Sequence, residues 1–533
     1  MNNKTYSGWI IFIYLLIAFL FGVSVAVNFL PSRKSTLSSA QTNKLNEVMN
    51  YIDRYYVDSV NIDSIYDAAI TLVLQGLDPH SAYATQAENK TMMESLEGAF
   101  EGVGVQFNIM NDTVMVVATI AGGPAEKAGV RAGDRIVSVD GKSIIGTTNE
   151  KVFKLLRGKK GTKVKVGVRR PGIKDTYAYE IIRDVIPTYT VDVAYMMDDH
   201  TGYIKLKEFA STTVEELQKA LLQLRNKGMT SLILDLRGNA GGFLEAAIGV
   251  SDEFLPRNRK IVSVEGLKVR PEVFRATRKG NFESGRLVVL IDDFSASASE
   301  IVAGAVQDND RGYIVGRRSF GKGLVQRQFE LSDKSSIRLT TARYHTPSGR
   351  CIQRDYKDGI EAYYEEIYNR LARGEMENID SIKQDTSIAY KTIGGRTVYG
   401  GGGIMPDHFV PLHQGHDLDG YYAVANTSAL IQYAFNYTNE HKQDLKKQYP
   451  DIATFIAKAT ISDAQLNQLL AYYKKLSGKA APTLSANSRK ELKVWTKALI
   501  GRNLFGDDAF YPVINQTDET IIKARQVLKG KKQ

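Results

Sequence analysis

The spacing of apolar and polar residues divides this chain into stretches of different rhythm. Residues 9–30 (WIIFIYLLIAFLFGVSVAVNFL) form an uncharged apolar run of about the length that spans a bilayer. From about residue 36 to 97 the spacing predicts helices. Leu45, Val48, Met49 and Ile52 share one face, and Ile65, Ala68, Ala69, Leu72 and Val73 another. The turn Gly76-Leu77-Asp78-Pro79-His80 ends the second helix, and the exposed apolar faces suit self-association or packing on the later core. Residues 98–184 change to short strands and glycine turns. A glycine loop (Gly102, Val103, Gly104, Val105) enters a strand, GPAEKAGV reads as a short helix with proline first and glycine last, and IVSVDG ends in an Asp-Gly turn. From residue 185 strands alternate with helices. A buried strand, SLILDL, meets the loop RGNAGG at 237–242 and then a helix at 244–254, and strand, loop and helix recur at 287–306. Residues 355–395 read as a charged insertion with a helix at 360–372, and GGGGIMP at 400–406 returns the chain to the core. Capped helical patterns fill residues 412–533, where Tyr421, Tyr422, Tyr433, Phe435 and Tyr437 read as core.

At 533 residues the chain is too long for one core, and 43% hydrophobic with 24% charged residues is a globular balance. The net charge of +10 is spread along the chain. Its densest cluster (Arg157, Lys159, Lys160, Lys163, Lys165, Arg169, Arg170) alternates with apolar residues and lacks interleaved aromatics, which reads as a solvated edge and not as a nucleic-acid surface. Lys4 before the apolar run and Arg33-Lys34 after it leave the span unoriented by charge. Ser24-Val25-Ala26 is a weak cleavage site, so residues 1–35 read as an uncleaved anchor in preference to a signal segment. A single cysteine, Cys351, excludes an internal disulfide.

Residues 286–326 carry the candidate chemistry. Ser295, Ser297 and Ser299 sit at a strand-to-helix turn, where free backbone N–H groups and the helix dipole stabilise a developing oxyanion. Lys322 follows between Gly321 and Gly323, which points to a Ser–Lys nucleophile pair. The lysine must be neutral to act as base, and burial among residues such as Leu324 and Val325 lowers its pKa from about 10.4. The seven histidines (80, 200, 345, 408, 413, 416, 441) all lie outside this stretch, and His80, beside a proline turn, reads as a capping or packing residue. Neither a Gly-x-Ser-x-Gly elbow nor a His-Glu-x-x-His motif occurs, His413 and His416 in a polar loop make a poor metal site, and no metal or cofactor is expected. The 237–242 loop lacks the Gly-Lys-Ser/Thr of a phosphate cradle, so Gly241 and Gly242 read as N–H donors to a substrate carbonyl. Residue types alone leave the serine open, because Ser319 and Lys322 also spell Ser-x-x-Lys; that motif needs a helix, and the glycines here make a loop. Glu300 and Asp308 read as helix solvation or capping.

Two resemblances sharpen this. GPAEKAGVRAGDRIVSVDGKSI resembles a bacterial-type PDZ domain, which implies that residues 98–184 add a C-terminal peptide as a strand and hold its carboxylate at Gly102, Val103, Gly104 and Val105. SASASEIVAGAVQDNDRG followed by GRRSFGKGLVQ, together with LDLRGNAGG, TPSGR and GGGIMPD, resembles the carboxyl-terminal processing serine proteases across residues 45–411. The resemblance implies an α/β, crotonase-like ββα-spiral core (185–411) with an inserted PDZ domain. It implies Ser297 as nucleophile, Lys322 as general base 25 residues later, and Gln326 orienting the lysine. Ala298, with Gly241 or Gly242, would form the oxyanion hole. Substrates would be proteins or peptides with exposed apolar C-terminal tails, cut near the C-terminus by an enzyme anchored once in the inner (cytoplasmic) membrane with its catalytic part on the periplasmic or extracytoplasmic side. Cys351 stands where serine is more usual, which touches nothing catalytic. A tail-binding scaffold without cleavage and a crotonase-like acyl-CoA enzyme are the alternatives.

Overall fold

The computed structural model describes residues 39–530 apart from 111, 121, 171–172, 174, 278–279 and 413–415. The expected membrane segment 9–30 and His413 lie outside the described residues; among those described, no helix is long and apolar enough to cross a membrane. The chain divides into two compact units, Met1–Leu72 and Val73–Gln533. In the first, helix Ser39–Tyr55 leaves Leu45, Val48, Tyr51 and Tyr55 exposed and buries Met49, and helix Ile62–Gln75 begins there with Leu72 exposed.

The second unit is built on a six-stranded sheet in the order Val191–Met196, Thr201–Leu206, Ser231–Asp235, Arg286–Ile291, Tyr313–Gly316, His408–Phe409. It is parallel from the second strand onward. Both faces are covered, which is why these strands are apolar without alternation. Leu232, Leu234, Leu287 and Val289 pack with residues of helices Thr213–Asn226, Leu244–Asp252 and Ala298–Asp308. Ile233, Val288 and Leu290, on the opposite face, meet Ile521, Ala524 and Leu528 of helix Glu519–Lys529. The last helix therefore packs on the α/β sheet, although the sequence pattern groups it with the C-terminal helices. Those helices, from Asp419 to Ile514, have a core of their own around Tyr433, Phe455, Leu466 and Leu492. Of the aromatic stripe, Tyr433 and Phe435 are buried while Tyr422 is exposed.

A second, antiparallel sheet centres on Ser336–His345, paired with Leu324–Glu330, with Lys260–Gly266 and with the three-residue strand Ala82–Ala84. That last strand lies in the stretch read as helical; three residues are too few to show alternation. The PDZ-like region enters and leaves side by side, because Ala99–Gly102 pairs antiparallel with Asp184–Pro187. Between them six antiparallel strands close on Val116, Val152, Val166 and Val168, with Val105–Met110 at the edge of the sheet. The charged insertion forms helix Ile360–Ala372, over the residues that the spacing predicts.

Candidate active site

Strand Arg286–Ile291 and helix Ala298–Asp308 flank a turn that sends its three serines in different directions. Ser295 Oγ donates to Leu236 O (2.9 Å) and Ser299 Oγ to Asn239 O (2.8 Å), and both side chains are buried. Ser297 is the one of the three that lines the main cleft, a cavity of about 730 Å³. Its backbone sits at φ 54°, ψ −112°, unusual for a residue with a Cβ and costing on the order of 1–3 kcal/mol. Surrounding bonds hold it there. Its N–H donates to Glu300 Oε2 (2.8 Å), and its carbonyl accepts from the Ile301 N–H (3.0 Å) and the Tyr344 hydroxyl (3.2 Å).

Glu300 is fully buried, and its carboxylate also accepts from Ser319 Oγ (2.5 Å), Gly321 N–H (2.7 Å) and Lys322 N–H (2.9 Å). Burial raises its pKa, against these hydrogen bonds. The side chain caps its helix, as its position in the sequence suggests, and it also fastens the lysine loop to the serine turn. Ser319 is buried, and its hydroxyl also accepts from the Ile404 N–H (2.6 Å), so it braces the scaffold away from the cleft. Residues 317–323 form no helix, as the Ser-x-x-Lys alternative would need. Asp308, at the far end of the helix, is held by Arg350 (2.8 Å) and Ser348 (2.7 Å).

Lys322 lines the same cleft, and its Nζ donates to Gln326 Oε1 (3.0 Å). Burial brings its pKa down to about 8; the Arg338 guanidinium pushes the same way, while Glu300 and Asp78 oppose. Gln326 Nε2 in turn donates to the His80 carbonyl, which fixes the amide between the lysine and the 78–81 turn. Tyr344, buried, donates to Lys322 O (2.7 Å) as well as to Ser297 O, so one hydroxyl ties both main chains.

A layer behind the site carries little signal in the sequence. The His80 N–H donates to Asp78 Oδ1 (2.8 Å) and its ring Nε2 bonds the Tyr363 hydroxyl (2.8 Å). Burial, with the Lys322 charge, pushes the imidazole pKa down to about 3, so the ring is neutral. Burial works to raise the Asp78 pKa, but hydrogen bonds from Ser81, His80 and Thr340 bring it below the usual carboxyl value. The insertion helix closes this layer: Tyr364 Oη donates to Pro79 O (2.8 Å), and Arg370 donates to Ser319 O (2.8 Å) and Phe320 O (3.2 Å). Arg354 lies over the rings of Phe320 (4.0 Å) and Tyr363 (3.9 Å). These contacts join residues far apart in sequence, and only the aromatic content of the insertion hints at them.

The 237–242 loop faces the serine turn. Asn239 ties the two, donating to Leu206 O (2.9 Å) while its carbonyl accepts from Ala296 N–H (3.1 Å) and Ser299 Oγ. Gly241 lies against Ser297: a Cβ there would meet Ser297 Cβ at 2.9 Å and Ala298 N at 3.0 Å. Its N–H donates to Asn239 Oδ1 (2.9 Å). Gly242, at φ 148°, runs so close to Phe209 that a Cβ would fall 2.0 Å from Phe209 O. The N–H groups of Gly242 and Ala298 have no protein acceptor among the described residues, and both residues line the cleft. The arrangement can activate one hydroxyl with an amine held near neutrality and offer two backbone donors to an oxyanion.

In the PDZ-like region, Gly104 (φ 75°) turns the loop into the edge strand, and the N–H groups of Val103 and Gly104 find no acceptor among the described residues. Val103 O and Gly104 O accept from Ala125 (2.8 Å) and Ile120 (3.0 Å), which fixes the loop with its amides turned the other way. Gly102 pairs with Asp184 at the entry to the region, and Val105 opens the edge strand.

Comparison with known proteins places these features in a family. Peptidase family S41 matches residues 200–365, a PDZ domain matches 115–170, and a family of unknown function, DUF8443, matches 421–506. The carboxy-terminal processing protease CtpA of Bacillus subtilis is 37% identical over 62% of this chain and 70% of its own length. A carboxy-terminal-processing protease of Bartonella bacilliformis is 36% identical over 63% of this chain and 80% of its own. Among solved structures, a photosystem II D1 C-terminal processing protease is 27% identical and covers 70% of this chain and 94% of its own, with a TM-score of 0.35, a superposition too loose to bear on the fold.

Proposed function

This chain belongs to the carboxy-terminal processing serine proteases of peptidase family S41, and we propose that Ser297 and Lys322 are its nucleophile and general base. The observation that carries the assignment is one half-buried lysine, with its pKa lowered to about 8, in the same cleft as the one serine of the 295–299 turn that is not taken by the scaffold. Neutral Lys322 Nζ accepts the Ser297 Oγ proton as the oxygen attacks the scissile carbonyl. Gly242 and Ala298 N–H groups receive the oxyanion, and Lys322 returns its proton to the leaving amine. Water, deprotonated by Lys322, then opens the acyl-enzyme. Gln326 keeps the amine aimed during these transfers. Gly241 supports the hole by its close approach to Ser297, its own amide being occupied by Asn239.

The PDZ domain captures the substrate tail, with Val103 and Gly104 amides as carboxylate donors between Gly102 and Val105, and an apolar tail suits a cleft walled by Val264, Ile301 and Leu324. The paired donors from two strand-loop-helix units support a crotonase-like spiral for the core. The apolar run 9–30 supports a single membrane anchor, to which the family resemblance adds a catalytic part on the periplasmic or extracytoplasmic side, and the exposed apolar residues of helix Ser39–Tyr55 support self-association through it. Carbonate extraction of membranes and the mass of the detergent-solubilised chain check these two points. For the central assignment, Ser297→Ala and Lys322→Ala should each lower cleavage of an unfolded tailed substrate by at least a thousandfold while tail binding persists. Undiminished cleavage by Ser297→Ala would sink it.

A further inference from the structure

Arg338 projects from strand Ser336–His345 into the cleft, and among the described residues its guanidinium makes no ion pair and no hydrogen bond. Its Nε is fully shielded from solvent and unpartnered. Arg327, which also lines the cleft, is exposed to solvent, and the buried arginines behind the site have counter-charges. Arg318 pairs with Glu375 (2.5 Å), Arg354 with Glu366 (2.6 Å), and Arg370 with Glu366 (2.8 Å). Neither Glu245 nor Glu272, the two carboxylates that line the cleft, pairs with Arg338. A partly buried guanidinium without a counter-charge is costly, unless an anion arrives with the ligand.

Its position says what that anion would be. Thr340 stands opposite Gln326, the partner of Lys322, and Arg338 stands two residues further along the same strand, opposite Gln328. Two residues of strand span roughly 7 Å, which is also the reach of two residues of an extended substrate lying in the cleft. We propose that Arg338 binds a substrate carboxylate within a few residues of the scissile bond, and so sets how close to an acidic group or a chain end the enzyme cuts. The planar fork of the guanidinium fits a carboxylate with two parallel hydrogen bonds. The carboxylate is either the terminal one of a short leaving segment or that of an aspartate or glutamate side chain.

This inference rests on the cleft being the proteolytic site, and it adds a coupling to the chemistry. Arg338 lowers the Lys322 pKa, together with burial and against Glu300 and Asp78, with neutral His80 alongside. A bound carboxylate offsets the guanidinium charge, so the lysine of the complex holds its proton more tightly than that of the free enzyme.

The test compares the full chain with Arg338→Gln and Arg338→Lys on three matched peptides. One ends in a free carboxylate three residues past the cleavage point, one is its C-terminal amide, and one is the amide with glutamate at that end. Each kcat/KM is taken on the plateau of the enzyme's own pH profile. The PDZ domain also prefers a free end, but that preference is the same in every variant. The expected result is that Arg338→Gln lowers the acid-to-amide ratio at least tenfold, and Arg338→Lys restores part of it. For the acid peptide on wild type, the kcat profile should lie at higher pH than the kcat/KM profile, and for the amide the two should coincide. A ratio that falls for the free acid alone assigns the chain end, and one that falls for the glutamate peptide too assigns any nearby carboxylate. Equal ratios in wild type and Arg338→Gln, or an equal slowing of all three peptides, would overturn the proposal. Failure of the protease assignment shows separately, as cleavage that survives Ser297→Ala.

Discussion

Ser297 keeps a backbone conformation that a free chain would abandon, and the Glu300 carboxylate is the main reason that it can. That side chain accepts from both halves of the proposed dyad, at Ser297 N–H and Lys322 N–H, and replacing one oxygen by an amide sets a donor against a donor. Glu300→Gln should therefore cost about 1–3 kcal/mol of stability and lower kcat at least tenfold. Glu300 also raises the Lys322 pKa, opposing burial. Because a general base works only when deprotonated, kcat/KM of the wild type should rise with pH through about 8, and the residual activity of Glu300→Gln should rise at lower pH. A pH profile that stays put in the variant would separate Glu300 from the lysine. Residue types point to a serine–lysine pair but not to the serine, since Ser295, Ser297 and Ser299 are equivalent as letters. Ser297 stood out in the sequence through family resemblance; in the fold it stands out because the carbonyls of Leu236 and Asn239 take the other two hydroxyls.

The elements that hold the dyad divide by range. Strand, loop and helix at 231–252 and at 286–308 follow from local periodicity, and the two loops meet because their strands are neighbours in the sheet. The brace behind Lys322 does not follow from local periodicity. It joins the 78–81 turn, the lysine loop and helix Ile360–Ala372 through side chain–backbone bonds that leave no periodic trace. The insertion is legible as a helix; its purpose is not. Arg370 is buried, bonds Ser319 O and Phe320 O, and pairs with Glu366. Arg370→Ala should lower the melting temperature, speed amide exchange across residues 319–323, and reduce kcat more than it raises KM. Unchanged exchange in that loop would show that the insertion helix does not position the lysine.

At the scale of the molecule, the end of the chain packs on the protease domain's sheet. Ile521, Ala524 and Leu528 cover the face formed by Ile233, Val288 and Leu290, directly beneath the strand that delivers Ser297. Ile521→Ala should cost about 2–5 kcal/mol and lower activity and melting temperature together, whereas a change in an independent C-terminal domain would leave the protease transition in place. The helical pattern of the last segment is plain in the sequence, but its partner is more than two hundred residues away and had to come from the fold. The PDZ domain is the reverse case: its motifs are local, and the pairing of Ala99–Gly102 with Asp184–Pro187 makes its insertion possible without disturbing the core. On the proposed mechanism a single serine of one cleft is acylated. The most direct measurement is therefore to acylate the enzyme with a slowly deacylating substrate ester above pH 8, where Lys322 is deprotonated, to quench in acid so that protonated Lys322 no longer activates water, and to map the acylated residue by mass spectrometry. The acyl group should be found on Ser297 and be absent from Lys322→Ala. Acylation of Ser295, Ser299 or Ser319, or labelling that persists in Lys322→Ala, would contradict the dyad.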